Sequence, residues 1–183
     1  MLILLALVLG ILAGYACRGR LRRLATLKFH WVWLVVVAAI IQLLIFPLTG
    51  GEPLLRRATV PLHFFSYALA VLFVALNLRV RPLAVLATGA VLNLLPLVAN
   101  EGYMPVSLDA LRRCGAVDIA ERLIAEGRFA NVVAMSADTR LNLLGDRLSV
   151  PLSFPGSIAF SIGDVLIAVG LGVLVWWGMT RSV

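Results

Sequence analysis

The chain has 183 residues, 62% of them hydrophobic and only 14% charged, with a mean hydropathy of +1.02. Soluble domains are about 45–50% apolar and about 25% charged, so this composition calls for a bilayer and leaves no room for a separate soluble domain of ordinary size. The formal net charge of +7 would suggest nucleic acid in a soluble protein, but its placement along the chain points to membrane orientation instead.

A bilayer span takes about 20 apolar residues, and the sequence offers five such runs. The first covers about 2–17. Arg18, Arg20, Arg22, Arg23 and Lys28 follow it, and no basic side chain precedes it. A cleaved secretory signal carries its charge in front, so this order predicts an uncleaved helix with its N-terminus outside. The second run covers about 31–48, with Trp31 and Trp33 as interfacial anchors. Gly50, Gly51 and Pro53 then mark a turn. The third covers about 61–78 and opens on Pro61, and the fourth covers about 82–99 and opens on Pro82; proline suits a first helical turn. The fifth covers about 157–178 and ends on Trp176 and Trp177.

The charges give these spans a direction. One side would carry eight Lys/Arg, from the 18–30 and 79–81 connections and Arg181, and no acid. The other would carry eight Arg and eight acids, with Asp164 inside span five. Cytoplasmic enrichment in Lys and Arg is the topogenic signal. The expectation is therefore an all-α protein of the cytoplasmic (inner) membrane, multi-pass, with its N-terminus out and its C-terminus in.

An extracytoplasmic loop, 100–156, joins spans four and five and is expected to be mostly helical. Ser107 to Gly115 reads as a short helix with a serine N-cap and a glycine at its end. Asp118 and Glu121 stand at capping-box spacing ahead of an apolar stripe, Ile119/Leu123 and Ala120/Ile124, that runs up to Gly127. Both helices are too short to span. They either lie on the membrane face or bundle mouth or pack only on each other. Cys17 and Cys114 belong to no CxxC or Cys/His cluster, so neither a disulfide framework nor a zinc site is expected.

Polar groups inside a span are functional candidates by default. Asp164 lies about seven residues into span five, Asn93 and Gln42 about six from the outer ends of spans four and two, and His63 about two into span three, while Asn100 sits at the mouth of span four. All fall within roughly 10 Å of the outer surface at 1.5 Å per residue. Ser157, Ser161, Asp164 and Ala168 form one stripe on span five, and His63 and Tyr67 stack at i, i+4. Pro96 leaves the Leu92 carbonyl without its helical donor beside Asn93. Each has a purely structural alternative: hydrogen-bond glue for Gln42 and Asn93, water or headgroups for His63. Gly10/Gly14 and Ala168/Gly172 fit small-xxx-small helix packing.

Ala99-Asn100-Glu101-Gly102-Tyr103-Met104-Pro105-Val106, Thr139-Arg140-Leu141, Leu144-Gly145-Asp146 and Phe160-Ser161-Ile162-Gly163-Asp164 together resemble a bacterial membrane family catalogued as domain of unknown function 5317. The family segment after span four has glycine where Glu101 stands here. The resemblance implies a multi-span protein and supplies no activity. It brackets the long loop, which suggests that the loop folds back over the bundle mouth. Arg140 then pairs with Asp146 locally or with Asp164 in the membrane, keeping the carboxyl ionised.

Three functions fit. The favoured one is an outward-facing binding or docking module for a small molecule, a lipid or a membrane partner. A second is a membrane enzyme acting on a lipid-linked substrate, with Asp164 or Asp146 as general acid/base, His63 assisting and Arg140 holding an anionic group. It lacks every HExxH, GxSxG, DxxD or Gly-rich phosphate signature. A third is a transporter or channel subunit, which without an inverted repeat needs an oligomer. Expected partners are the bilayer, a membrane protein or second copy, and a small-molecule or lipid ligand; neither cofactor, metal nor nucleic acid is expected.

Overall fold

The computed structural model describes residues 2–45, 58–150 and 159–181. The end of the expected second span, the Gly50–Pro53 turn, Ser157 and the start of the expected fifth span lie outside these. Five apolar helices carry the fold: α1 (Leu2–Ala16), α2 (Trp33–Ile45), α3 (Thr59–Leu76), α4 (Pro82–Ala99) and α7 (Ile162–Thr180). Among the described residues α3, α4 and α7 are long and apolar enough to cross a membrane, with 18, 18 and 19 residues, and α1 and α2 are shorter there. At 1.5 Å per residue an 18-residue helix reaches about 27 Å, close to the thickness of a hydrocarbon core.

The helices are inverted relative to a soluble bundle. Their outward faces are Leu, Val, Ile and Phe, with Leu4, Leu9, Leu12, Leu43, Phe65 and Val98 all exposed. Their inner faces are small or polar: Gly10 and Gly14 on α1, Ser66 on α3, Gly89 and Asn93 on α4, Gly163, Ala168, Gly170 and Gly172 on α7. Between apolar helices in lipid, burial gives no drive to associate, so close backbone approach and hydrogen bonds must do so. A Cβ on Gly10 would meet the Gly172 backbone, and one on Gly89 would lie 2.6 Å from the Gly163 carbonyl. Gly10 and Gly172 thus face each other across α1 and α7, and Gly14 faces Met179.

Packing order follows from these contacts. α7 lies between α1 and α4, α4 also packs on α3, and α3 on α2. α1 runs parallel to α7, with Gly10 against Gly172 and Gly14 against Met179, while α4 runs antiparallel to it, Gly89 against Ile167 and Leu86 against Gly170. α1 stops where Arg18 turns left-handed (φ 57°) and the Gly19 N–H donates back to the Gly14 carbonyl at 2.8 Å. A 3-10 turn, Leu21–Thr26, then folds against the end of α7: the Arg20 N–H donates to the Met179 carbonyl at 3.0 Å and Arg23 to the same oxygen at 3.3 Å. Asn77 fixes the next turn, donating to the His30 carbonyl at 2.9 Å and accepting from the His30 N–H at 2.7 Å. Arg18–Lys28, Arg79, Arg81 and Arg181 therefore gather at one end of the bundle.

The opposite end carries a small cap, and here two expectations are corrected. The 100–156 loop is not mostly helical. It contains α5 (Leu108–Arg113) and α6 (Val117–Glu126), but also a three-stranded sheet of β1 (Met104–Val106), β2 (Arg128–Phe129) and β3 (Val132–Ala134). The order is β1-β3-β2, with β1 parallel and β2 antiparallel to β3. β2 and β3 form a hairpin through Ala130-Asn131, with Ala130 at φ 51°. Ser107 does cap α5, accepting from the Ala110 N–H at 3.2 Å, and Gly115 turns left-handed at φ 84°. The Asp118/Glu121 capping box does not form: α6 begins at Val117, its N-cap is Ala116, and no side chain caps it. Instead α6 buries Ala120 and Leu123, with Ile119 alongside, in a core shared with Val106, Ala110, Leu111, Cys114 and the strands, while Ile124 stays outside. The apolar stripe is thus occupied by the cap's own core.

The second correction concerns α7. It begins at Ile162, so Ser161 is its N-cap and Asp164 lies in its first turn, not some seven residues into a span. Ser161 and Asp164 consequently do not form a helical stripe.

Candidate functional site

Where α7 enters the bundle, four hydrogen bonds close on three side chains. Ser161 is extended (φ −98°, ψ 170°), which turns its hydroxyl toward the Asp164 N–H; that N–H donates to Oγ at 2.9 Å. In return the Ser161 N–H donates to Asp164 Oδ2 at 2.9 Å. This is a capping box with Asp in the acidic position. Asn93 on α4 joins both: its Nδ2 donates to Asp164 Oδ1 at 2.7 Å, and the Ser161 hydroxyl donates to its Oδ1 at 2.6 Å. The amide fits because Gly163 leaves space for it; a Cβ there would fall on the Asn93 side chain. Tyr67 on α3 lies alongside, within hydrogen-bonding reach of Asn93 and close enough to Asp164 and Asp146 to feel their charge. Asn93, Ser161 and Asp164 are therefore brought together, and each satisfies the others.

Asp146 borders this cluster from the cap. Its backbone is held on β1, donating to the Pro105 carbonyl at 2.8 Å and accepting from the Ser107 N–H at 2.9 Å. Its Oδ1 is buried with no hydrogen-bond partner among the described residues. Burial first, and then the negative charge of Asp164, push this carboxyl well above the usual range. The folded chain thus keeps a proton that the unfolded chain loses near an ordinary pKa of about 3.9. With more protons bound in the folded state, stability falls as pH rises through that window. Asp146→Asn is expected to abolish this decline, whose slope reaches at most about 1.4 kcal/mol per pH unit; melting temperatures of both proteins in detergent across the acid-to-neutral range measure it, and parallel curves would refute the assignment.

The cap is fastened to α4 by Asn100. Its Nδ2 donates to the Arg140 carbonyl at 2.8 Å and to the Pro96 carbonyl at 2.7 Å, while its Oδ1 accepts from the Arg140 N–H at 2.8 Å. The reciprocal bonding to one residue's backbone repeats what Asn77 does with His30 at the other end. The expected pairing of Arg140 with Asp146 or Asp164 is not found. Asn100 engages the backbone of Arg140, and among the described residues its guanidinium forms no ion pair. Arg140 instead lines a cleft of about 510 Å³ together with Ala99, Asn100, Glu101, Arg128, Val133, Ser136, Asp138 and Thr139. Glu101, on the cleft wall, and Gly102 after it turn left-handed, at φ 58° and 92°, so Glu101 holds a backbone conformation that suits glycine better. Its carboxylate pairs with Arg128 at 3.0 Å, an interaction that makes this guanidinium harder still to deprotonate, and Arg128 also lies 4.5 Å over the Tyr103 ring.

Gln42 lies apart from both centres, and His63 borders the first through Tyr67. Gln42 Nε2 donates to Ser66 Oγ at 2.5 Å across α2 and α3, which is interhelical glue. His63 is buried and stacks on Tyr67, with ring centroids 5.2 Å apart and planes at 6°. Arg128, Ser136 and Asp138 were not among the residues singled out from sequence, since they gave no local signal; Tyr67 was named there only as the i, i+4 neighbour of His63. Among the described residues no three His, Cys, Asp or Glu side chains form a metal-binding group.

A family of unknown function, DUF5317, matches residues 26–176. The chain belongs to that family. The matched part of this DUF5317 chain holds α2, α3, α4, the whole cap and most of α7, hence both the Asn93–Ser161–Asp164 cluster and the cleft. No curated protein and no solved structure matches the chain.

Proposed function

We propose that this DUF5317 chain is a five-span protein of a bacterial cytoplasmic membrane whose external cap is a binding module for a small molecule or lipid. In this reading α1 and α2 cross together with α3, α4 and α7, the N-terminus is outside, and the basic end of the bundle faces the cytoplasm. One observation carries the binding reading: the cleft of about 510 Å³ beside the end of α4, which is lined by Asn100 and by Arg140, a cation without an ion pair among the described residues. Pockets that hold small ligands have about 300–1,000 Å³ and a few convergent polar groups. The Asn93–Ser161–Asp164 network serves as the rigid base of this module rather than as its chemistry, since every one of those groups is already hydrogen-bonded.

Native mass spectrometry of protein gently extracted from its own membranes tests the binding. Wild type should retain an adduct that Arg140→Ala loses while remaining folded; identical masses for the two would refute the reading. Orientation is read from thiols. Cys17 is exposed at the basic end and Cys114 is buried, so an impermeant maleimide on intact cells should label Ala137→Cys beside the cleft and leave Cys17 unlabelled. The reverse pattern would invert the topology.

A further inference from the structure

The charges that line the cleft specify the kind of ligand it takes. Four ionic side chains contribute: Glu101, Arg128, Asp138 and Arg140. Glu101 and Arg128 neutralise each other at 3.0 Å. Asp138 and Arg140, two residues apart, pair neither with each other nor with any other described residue. They therefore leave one cation and one anion on the same wall. The segment that presents them is held stiffly: the Ser136 N–H donates to Thr139 Oγ1 at 2.9 Å, Thr139 Oγ1 donates to Asn142 Oδ1 at 2.8 Å, and Asn142 Nδ2 donates to the Ser136 carbonyl at 3.1 Å. Arg140 is anchored through its own backbone by Asn100. Ser136 Oγ accepts from the Asp138 N–H at 3.2 Å, and its proton has no acceptor among the hydrogen bonds of the described residues.

A plain anion entering here would meet Arg140 but also Asp138; a plain cation would meet the reverse. Repulsive contact with a like charge is one way to reject a wrong ligand. A molecule with an anion and an ammonium a few bonds apart satisfies both. The guanidinium fork matches a phosphate or carboxylate, the Ser136 hydroxyl can donate to the same anion, and the Asp138 carboxylate takes the ammonium. Resting on the binding reading above, we infer that the cleft is a site for a zwitterion that joins an ammonium to a phosphate, as in the phosphoethanolamine unit. That unit is available both as a lipid headgroup, since the cleft opens at the end of α4, and as a free water-soluble compound.

The intact chain in maltoside micelles should bind glycerophosphoethanolamine, with glycerol 3-phosphate and ethanolamine each at least tenfold weaker by isothermal titration. Asp138→Asn should raise relative affinity for glycerol 3-phosphate severalfold, and Arg140→Gln should abolish binding of the zwitterion. Nanodiscs separate the sources: if the headgroup is the physiological form, phosphatidylethanolamine is retained in native mass spectra and phosphatidylglycerol is not. Glycerol 3-phosphate binding as tightly as the zwitterion, or no binding of any of these probes in either medium, would overturn the zwitterion assignment. In that event an adduct lost on Arg140→Ala still upholds the binding module, and absence of any such adduct removes both.

Discussion

Asp164→Ala should lower stability by about 2–4 kcal/mol, the combined effect of losing a helix N-cap partner and a charge-assisted bond between helices. The carboxylate accepts from Asn93 on α4 and from the Ser161 N–H on its own helix, so its removal strands donors on both. Asn93→Leu should cost a similar amount for the complementary reason: Ser161 Oγ and Asp164 Oδ1 lose their partners at a position where Ser161 is completely buried. Asp164→Asn keeps the shape but turns one of two acceptors into a donor facing a donor, and should fall between. Because the three residues form one network, the double variant Asn93→Leu/Asp164→Ala should be clearly less destabilised than the two single losses added together. Thermal or denaturant unfolding in detergent gives these numbers. An Asp164→Ala protein that melts with wild type would show that the cluster does not hold α7 to α4.

A second large effect is expected at Gly89. An added Cβ would lie 2.6 Å from the Gly163 carbonyl and 2.8 Å from the Ile167 nitrogen, both backbone atoms. No side chain can rotate aside, so α4 and α7 must move apart, and the Asn93–Asp164 bond one turn away opens with them. Overpacking of a tight contact costs about 1–3 kcal/mol and sometimes more, so Gly89→Ala should lie at or above that upper figure. Gly115→Ala is the control: nothing lies within 4 Å of its added Cβ, but φ is 84°, so only backbone strain of about 1 kcal/mol opposes it. A Gly89→Ala protein as stable as Gly115→Ala would argue against direct backbone contact between the two helices.

Much of this site was visible in the residues and some of it misleadingly. Asn93 and Asp164 could be grouped from depth alone, because a fixed rise per residue converts position in a helix into height; Ser161 was joined to Asp164 only through a helical stripe that does not form. The role of Asp164 could not be read from depth. Counting from an assumed start near residue 157 placed it about seven residues into a span; the helix starts five residues later, and the same side chain becomes the capping-box partner of Ser161. The cleft was invisible for another reason. Its wall joins Ala99–Glu101 at the end of α4, Arg128 and Val133 from the hairpin, and the segment Ser136–Arg140, and no periodicity relates residues from three separate stretches. The hairpin itself was missed because Ala130-Asn131 is not one of the dipeptides, such as Asn-Gly, that announce a two-residue turn.

The sequence by itself determined the apolar helices, the ends marked by Pro82 and by Arg18-Gly19, the helix capped by Ser107, and the gathering of basic residues in the connections of one end. These are local or compositional properties, set by side-chain volume, backbone freedom and transfer energy. Only the tertiary structure decided that Asn93 closes on the capping box of α7, which backbone partner Arg140 keeps, and that Ala120 and Leu123 of α6 are covered by the cap's own core. Each depends on residues that lie far apart in the chain. For α7 the local bonds between Ser161 and Asp164 are joined by a hydrogen bond between Ser161 and Asn93, 68 residues apart, which exists only once α4 and α7 have met at their glycines.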